Sequence, residues 1–219
     1  MMEKQLTMYG LTNLLLITVI LINFFLLGSS RLSSCIRAVA AQGALLALIP
    51  LAAHGLTLHT MVLGIGAFAL KGVLIPVVLL RALRQVRLRR ESGPLIGYIP
   101  TMVLGALITS AAFIFADFLP LLPEHRGGLF IPTSLATLFV GFLLLMTRRE
   151  AVSQVLGYLV LENGIFVFGT LLAEAMPLMV EAGVLLDLLV GVFIMGLVMN
   201  HIQREFSTLN TERLSALKG

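Results

Sequence analysis

Seven continuous apolar stretches dominate the chain: roughly Met8 to Leu27, Cys35 to Ala53, Leu58 to Leu80, Leu95 to Leu119, Leu129 to Met146, Val152 to Leu172 and Pro177 to Asn200. Each is close to the ~20 residues that a helix needs to cross a hydrocarbon core about 30 Å thick. The runs are unbroken rather than alternating, so a closed barrel is excluded and α-helices must satisfy the backbone. Composition agrees. Hydrophobic residues are 58% and charged residues 12% of the chain, about half the charge of an ordinary soluble domain, and the mean hydropathy is +1.03. The expected fold is therefore an all-α integral membrane protein with about seven transmembrane helices. The first run follows only a Glu3/Lys4 pair and lacks an Ala-x-Ala site, so it reads as a retained span rather than a signal peptide. Pro50, Pro76 and Pro100 fall inside or near span ends, where they can kink helices.

The basic residues fix an expected orientation. Loops after spans one, three and five, together with the tail, hold Arg31, Arg37, Arg81, Arg84, Arg87, Arg89, Arg90, Arg148, Arg149, Arg204, Arg213 and Lys218; the other side has only Lys4 and Arg126. Twelve against two is a strong positive-inside bias, which places the N-terminus outside and the C-terminus in the cytoplasm. The net charge of +4 is no nucleic-acid signal, because the basic residues sit in short loops between apolar runs. The Arg81 to Arg90 cluster could dock an acidic partner or anionic lipid, although topology retention explains it more simply.

Three ionisable residues lie near mid-membrane depth. Lys71 is nine residues before Leu80, Glu162 ten after Val152, and Asp187 ten after Pro177, each roughly 15 Å from a span end. A charge at that depth faces a bundle interior, pairs, or lines an ion path. Two readings stay open: a structural ion pair or neutral carboxyl, and a proton relay. Burial disfavours the charged form of such a group and a close opposite charge restores it, so small movements can switch its state. Asn163 can hydrogen-bond beside Glu162, and Gly157, Gly164 and Gly191 permit close helix contact or water entry. Gln42, inside span two, is expected to make a bundle-facing hydrogen bond.

Other polar residues carry less chemistry. His54 and His59 bracket a short loop without a third metal ligand. Asp117, Glu124, Glu174 and Glu181 mark the outer boundary. A single cysteine, Cys35, rules out a disulfide framework and any multi-cysteine metal site. No phosphate loop or nucleophile triad is present.

A weak repeat appears when the chain is slid by 120 residues: Ser33 meets Ser153, Gln42 meets Glu162, and Lys71 falls on Gly191, one turn beyond Asp187. It suggests two three-helix units, residues 1–90 and 129–219, the second with the tail, joined by a linking helix in 91–128.

The C-terminal half resembles the three-helix K-type subunit of respiratory complex I. Arg148-Arg149, Gly157 and Asn163 look like that family's second helix, and Asp187 four residues before Gly191 looks like its third. The tail from Leu209 to Gly219 looks like its ending. The extra N-terminal helices, the Leu161-Glu162-Asn163-Gly164 element and the terminal Leu-Lys-Gly are similar to the hydrogenase-4 component E family, the longer K-like membrane subunits of formate hydrogenlyase and related group 4 nickel–iron hydrogenases. In the complex I alignment the carboxylate position falls on Leu159, and Glu162 is one turn later. Asp187 stands where that family usually has Glu.

The resemblance implies a subunit without an active site of its own, in the bacterial inner membrane, within an oxidoreductase complex. Glu162 and Asp187 would be relay carboxylates for protons or sodium, with Lys71 modulating or continuing the path and Asn163, Gly157, Gly191 and Gln42 supporting it. Its partners would be antiporter-like and complex I-like membrane subunits and a cytoplasmic hydrogenase arm. The nickel–iron centre and iron–sulfur clusters would reside in those partners, with no cofactor in this chain. Two rival readings are a subunit of a multisubunit cation/proton antiporter and a structural membrane anchor.

Overall fold

The computed structural model describes residues 2–54, 58–86, 94–119, 128–172 and Gly183. The seventh apolar stretch, with Asp187 and Gly191, and the tail lie outside the described residues. Within them the chain is helical: α1 Met2–Gly28, α2 Leu32–His54, α3 Leu58–Ala67, a π-helical segment Phe68–Leu74, α4 Ile75–Val86, α5 Tyr98–Phe118, α6 Phe130–Thr147 and α7 Ala151–Leu172. Helix α3, the π segment and α4 run on without a break, so the described residues hold six helices long and apolar enough to cross a membrane. Their bounds follow the first six apolar stretches to within a few residues, except that the third is shorter, Gly64–Arg81.

The prolines differ in effect. Pro100 and Pro132 sit in the first turns of α5 and α6, where a backbone N–H has no intrahelical acceptor and its loss is harmless. Pro76 lies two residues after the π segment, inside α4. Its ring would crowd the carbonyl of Gly72, and a widened turn directly upstream is one way for a helix to absorb that. The widened register is closed by the Ile75 N–H donating to the Leu70 carbonyl, five residues back.

Two apolar clusters organise the bundle. One gathers Leu26, Leu27, Leu32, Ile36, Val39, Leu79, Leu83, Leu144 and Leu156 with their neighbours, at the end where α1, α4 and α6 finish and α2 and α7 begin. The same end carries Arg31, Arg37, Arg81, Arg84, Arg148 and Arg149. The second joins Leu15, Leu16, Val19, Leu46, Ile49 and Val167 further along the same helices. Both clusters draw on the first and last thirds of the chain.

At the basic end Arg148, counted from the sequence as a basic loop residue, is buried. Its Nη2 donates to the carbonyls of Leu26 at 2.8 Å, Leu27 at 3.1 Å and Ser29 at 3.5 Å. A guanidinium there satisfies terminal carbonyls of α1 and opposes the negative end of its dipole. Its carbon also lies 5.2 Å from the centre of the Tyr98 ring. Gly97, the N-cap of α5, takes φ +85°, a conformation open to glycine. Helix α5 rests on α6 and α1; only 22% of its span is buried, against 56% for α6 and for α7. Its outward Ile99, Leu107, Ile114 and Phe118 suit hydrocarbon rather than water. The chain is a multi-pass membrane protein.

Candidate functional site: a polar layer between two apolar clusters

Between the clusters, each of five helical segments contributes polar side chains at one level: Asn23 from α1, Gln42 from α2, Lys71 from the π segment, Thr137 from α6, and Glu162 with Asn163 from α7. None is more than 6% exposed. Lys71 Nζ lies 3.4 Å from Glu162 Oε1 and donates to Asn163 Oδ1 at 3.5 Å. Asn163 Nδ2 donates to Gln42 Oε1 at 3.2 Å. Gln42 Nε2 donates to Asn23 Oδ1 at 2.9 Å, and Asn23 Nδ2 to the Thr137 hydroxyl oxygen at 2.9 Å. The lysine ammonium also stands 5.2 Å from the centre of the Phe166 ring, a cation–π contact. Glu162 Oε2 is buried and has no hydrogen-bond partner among the described residues.

Local backbone features deliver Lys71 to this layer. The π segment rotates and widens the helix around it. Gly43 lets α2 come up against it: a Cβ on Gly43 would stand 2.7 Å from Lys71 Cβ and 2.9 Å from its carbonyl carbon. On the other side, α6 and α7 are drawn together through Gly141 against Leu161, Gly157 against Leu144 and Leu145, and Gly164 against Ser134 and Leu138. That contact sets the height of Glu162 and Asn163 opposite Lys71.

Of the residues singled out by sequence, Lys71, Glu162, Asn163 and Gln42 meet. Gly157 serves helix contact one turn and more away from them, and Asp187 and Gly191 lie outside the described residues. Leu159, where the complex I resemblance would expect a carboxylate, belongs to the first apolar cluster. Sequence reasoning missed Asn23, Thr137, Gly43 and Phe166. The first two had a visible signal, an amide and a hydroxyl inside apolar runs. Gly43 adjoins Gln42, but nothing local marks it as the contact with Lys71. Among the described residues no three His, Cys, Asp or Glu side chains come together as a metal site.

The pair thus lies in an apolar interior, with Glu162 Oε2 lacking a hydrogen-bond partner among the described residues and the Asn163 amide oxygen as a second acceptor beside the lysine.

No family model matches the chain, and no solved structure matches it. It is 32% identical over 193 residues to the uncharacterized protein Rv0085 of Mycobacterium tuberculosis, covering 85% of this chain and 86% of that protein. It is 31% identical over 155 residues to hydrogenase-4 component E of Escherichia coli K12, and equally to that of Shigella flexneri. That match covers 70% of this chain and 71% of the relative. At that identity and coverage, the chain belongs to the hydrogenase-4 component E family.

Proposed function

We propose that this protein is a non-catalytic membrane-arm subunit of a multisubunit hydrogenase of the formate hydrogenlyase type, in which Lys71 and Glu162 form one step of a proton or sodium path coupled to electron transfer. The observation that carries this reading is the buried Lys71–Glu162 pair at 3.4 Å, with Glu162 Oε2 lacking a hydrogen-bond partner among the described residues. An arriving proton would be taken by that oxygen. Once Glu162 is neutral, Lys71 shifts toward Asn163 Oδ1, already 3.5 Å away, and its return to the carboxyl restores the attraction for the carboxylate and drives the proton onward. The apolar clusters on both sides keep water from short-circuiting the step. Asp187 is the further carboxylate that the family resemblance puts on such a path. The positive-inside bias seats the basic end of the bundle in the cytoplasm of a bacterium, beside the hydrogenase arm, whose subunits would hold the nickel–iron and iron–sulfur centres.

Glu162→Gln in the assembled complex tests this. Ion movement should be lost while hydrogen chemistry continues; unchanged ion movement would refute the relay. A structural-anchor reading is favoured by one observation, the hydrogen bonds that tie α1, α2, α6 and α7 together through the layer. It predicts poor assembly of the variant, with coupling intact in whatever complex forms.

A further inference from the structure

The three amides of the polar layer are not independent of one another. A lysine ammonium only donates, so its contact with Asn163 requires the amide oxygen on that side. The Asn163 NH2 is thereby turned to the Gln42 oxygen, the Gln42 NH2 to the Asn23 oxygen, and the Asn23 NH2 to the Thr137 hydroxyl. Every link runs in one direction, from the lysine to the threonine. Turning over Asn163 or Gln42 alone would set donor against donor on one side and oxygen against oxygen on the other; turning over Asn23 alone would set its NH2 against the Gln42 NH2, although the Thr137 hydroxyl could then donate to its oxygen. They turn together or not at all.

We propose that Thr137 and Asn23 are positioning residues for the Lys71–Glu162 pair, anchoring the far end of an orientation lock that keeps the Asn163 carbonyl oxygen facing Lys71. The inference rests on the reading of that pair as a relay step. Thr137, Gln42 and Asn23 are 0%, 0% and 1% exposed, so water cannot replace a lost partner without opening the bundle. Without the Thr137 hydroxyl, the Asn23 NH2 loses its acceptor. Turning over does not recover one, because it opposes the Asn23 NH2 to the Gln42 NH2; Asn23 has to swing out of line to find another acceptor, which withdraws its oxygen from Gln42 and passes the displacement along the chain. The links lengthen toward the lysine, from 2.9 and 2.9 Å to 3.2 and 3.5 Å. The displacement is therefore taken up at the longest of them, the Lys71–Asn163 contact. Lys71 then keeps its place beside Glu162 Oε1 but loses the second position that the relay uses. Neither α1 nor α6 carries a member of the ion pair, yet both hold its geometry.

The experiment compares Thr137→Val, which keeps the shape and removes the hydroxyl, with Thr137→Ser, which keeps the hydroxyl. In sealed vesicles carrying the assembled complex, the ratio of ions moved to hydrogen formed should fall several-fold in Thr137→Val and recover in Thr137→Ser. The infrared carboxyl band of Glu162, assigned by its loss in Glu162→Gln, should move in the valine variant alone. Wild-type ratio and wild-type band in Thr137→Val overturn the proposal. If Glu162→Gln itself leaves the ratio unchanged, the relay reading fails and the lock is judged on the band: a shifted band in Thr137→Val supports it, an unmoved one overturns it. Should the valine variant not assemble, Thr137→Cys, nearly isosteric and only a weak acceptor, takes its place with the same expectations.

Discussion

Gly43→Ala is the smallest change that should disturb the polar layer without touching any of its polar atoms. The added methyl would lie 2.7 Å from Lys71 Cβ, 2.9 Å from its carbonyl carbon and 3.0 Å from its carbonyl oxygen. Carbon atoms pack at about 3.5–4.0 Å, so α2 and the π segment must separate by about 1 Å. Two of the three obstructing atoms are backbone, so no rotamer change relieves the contact. Overpacking of this kind destabilises by about 1–3 kcal/mol. For a chain of this size that is a fall of roughly 2–12 °C in apparent Tm. Ordinary glycines in the same bundle should respond with the opposite sign. Among the described residues nothing lies within 4 Å of a Cβ added at Gly66 or Gly169, and alanine there gains about 0.5–1 kcal/mol of helix propensity. Thermal unfolding of the three purified variants in one detergent measures the contrast directly. A Gly43→Ala protein that melts with Gly66→Ala and Gly169→Ala, at or above wild type, would refute the close approach. It would also refute the delivery of Lys71 by that approach.

The ion pair and the buried arginine give two further expectations. Lys71→Met leaves Glu162 charged or forces it neutral inside the bundle, and should destabilise by about 3–5 kcal/mol, whereas Lys71→Met with Glu162→Leu should recover most of that. A double variant as unstable as the sum of the singles would show that the two side chains do not interact. Arg148→Met removes the charged donor from the carbonyls of Leu26, Leu27 and Ser29 and should destabilise by about 1.5–3 kcal/mol. Arg148→Lys should restore only part of this, because a compact ammonium lacks the planar fork; full restoration in a melting experiment would argue for charge alone.

The spans were legible because bilayer thickness sets a length that composition must meet, and the six helices follow it. Depth was legible for the same reason: Gln42, Lys71 and Glu162 each stand about ten residues from the basic end of a membrane span, so one level could be read from counting. What counting does not give is the side of the helix that faces inward. In a membrane protein both lipid and core are apolar, and the usual amphipathic stripe is missing. Asn23 and Thr137 could therefore not be assigned to the layer, and the contact of Gly43 with Lys71 depends on helix packing that no local pattern encodes. Arg148 illustrates the same gap. Its place in a basic loop explains a topological role, whereas its burial against the end of α1 follows from how α1 and α6 come together.

Position 159 shows how the two levels combine. Leu159 and Glu162 are three residues apart, about 60° around the helix and 4.5 Å along it. That small step separates an apolar cluster from a polar layer. Leu159 packs with Leu156, Val160, Val140 and Leu144, where a carboxylate would have no partner. Glu162 stands opposite Lys71, whose height is set by the π segment and the Gly43 contact. The carboxylate in this chain thus stands at the level of its lysine and not at position 159. A change that moves Lys71 by a turn should strand Glu162 in hydrocarbon as surely as a change at Glu162 itself.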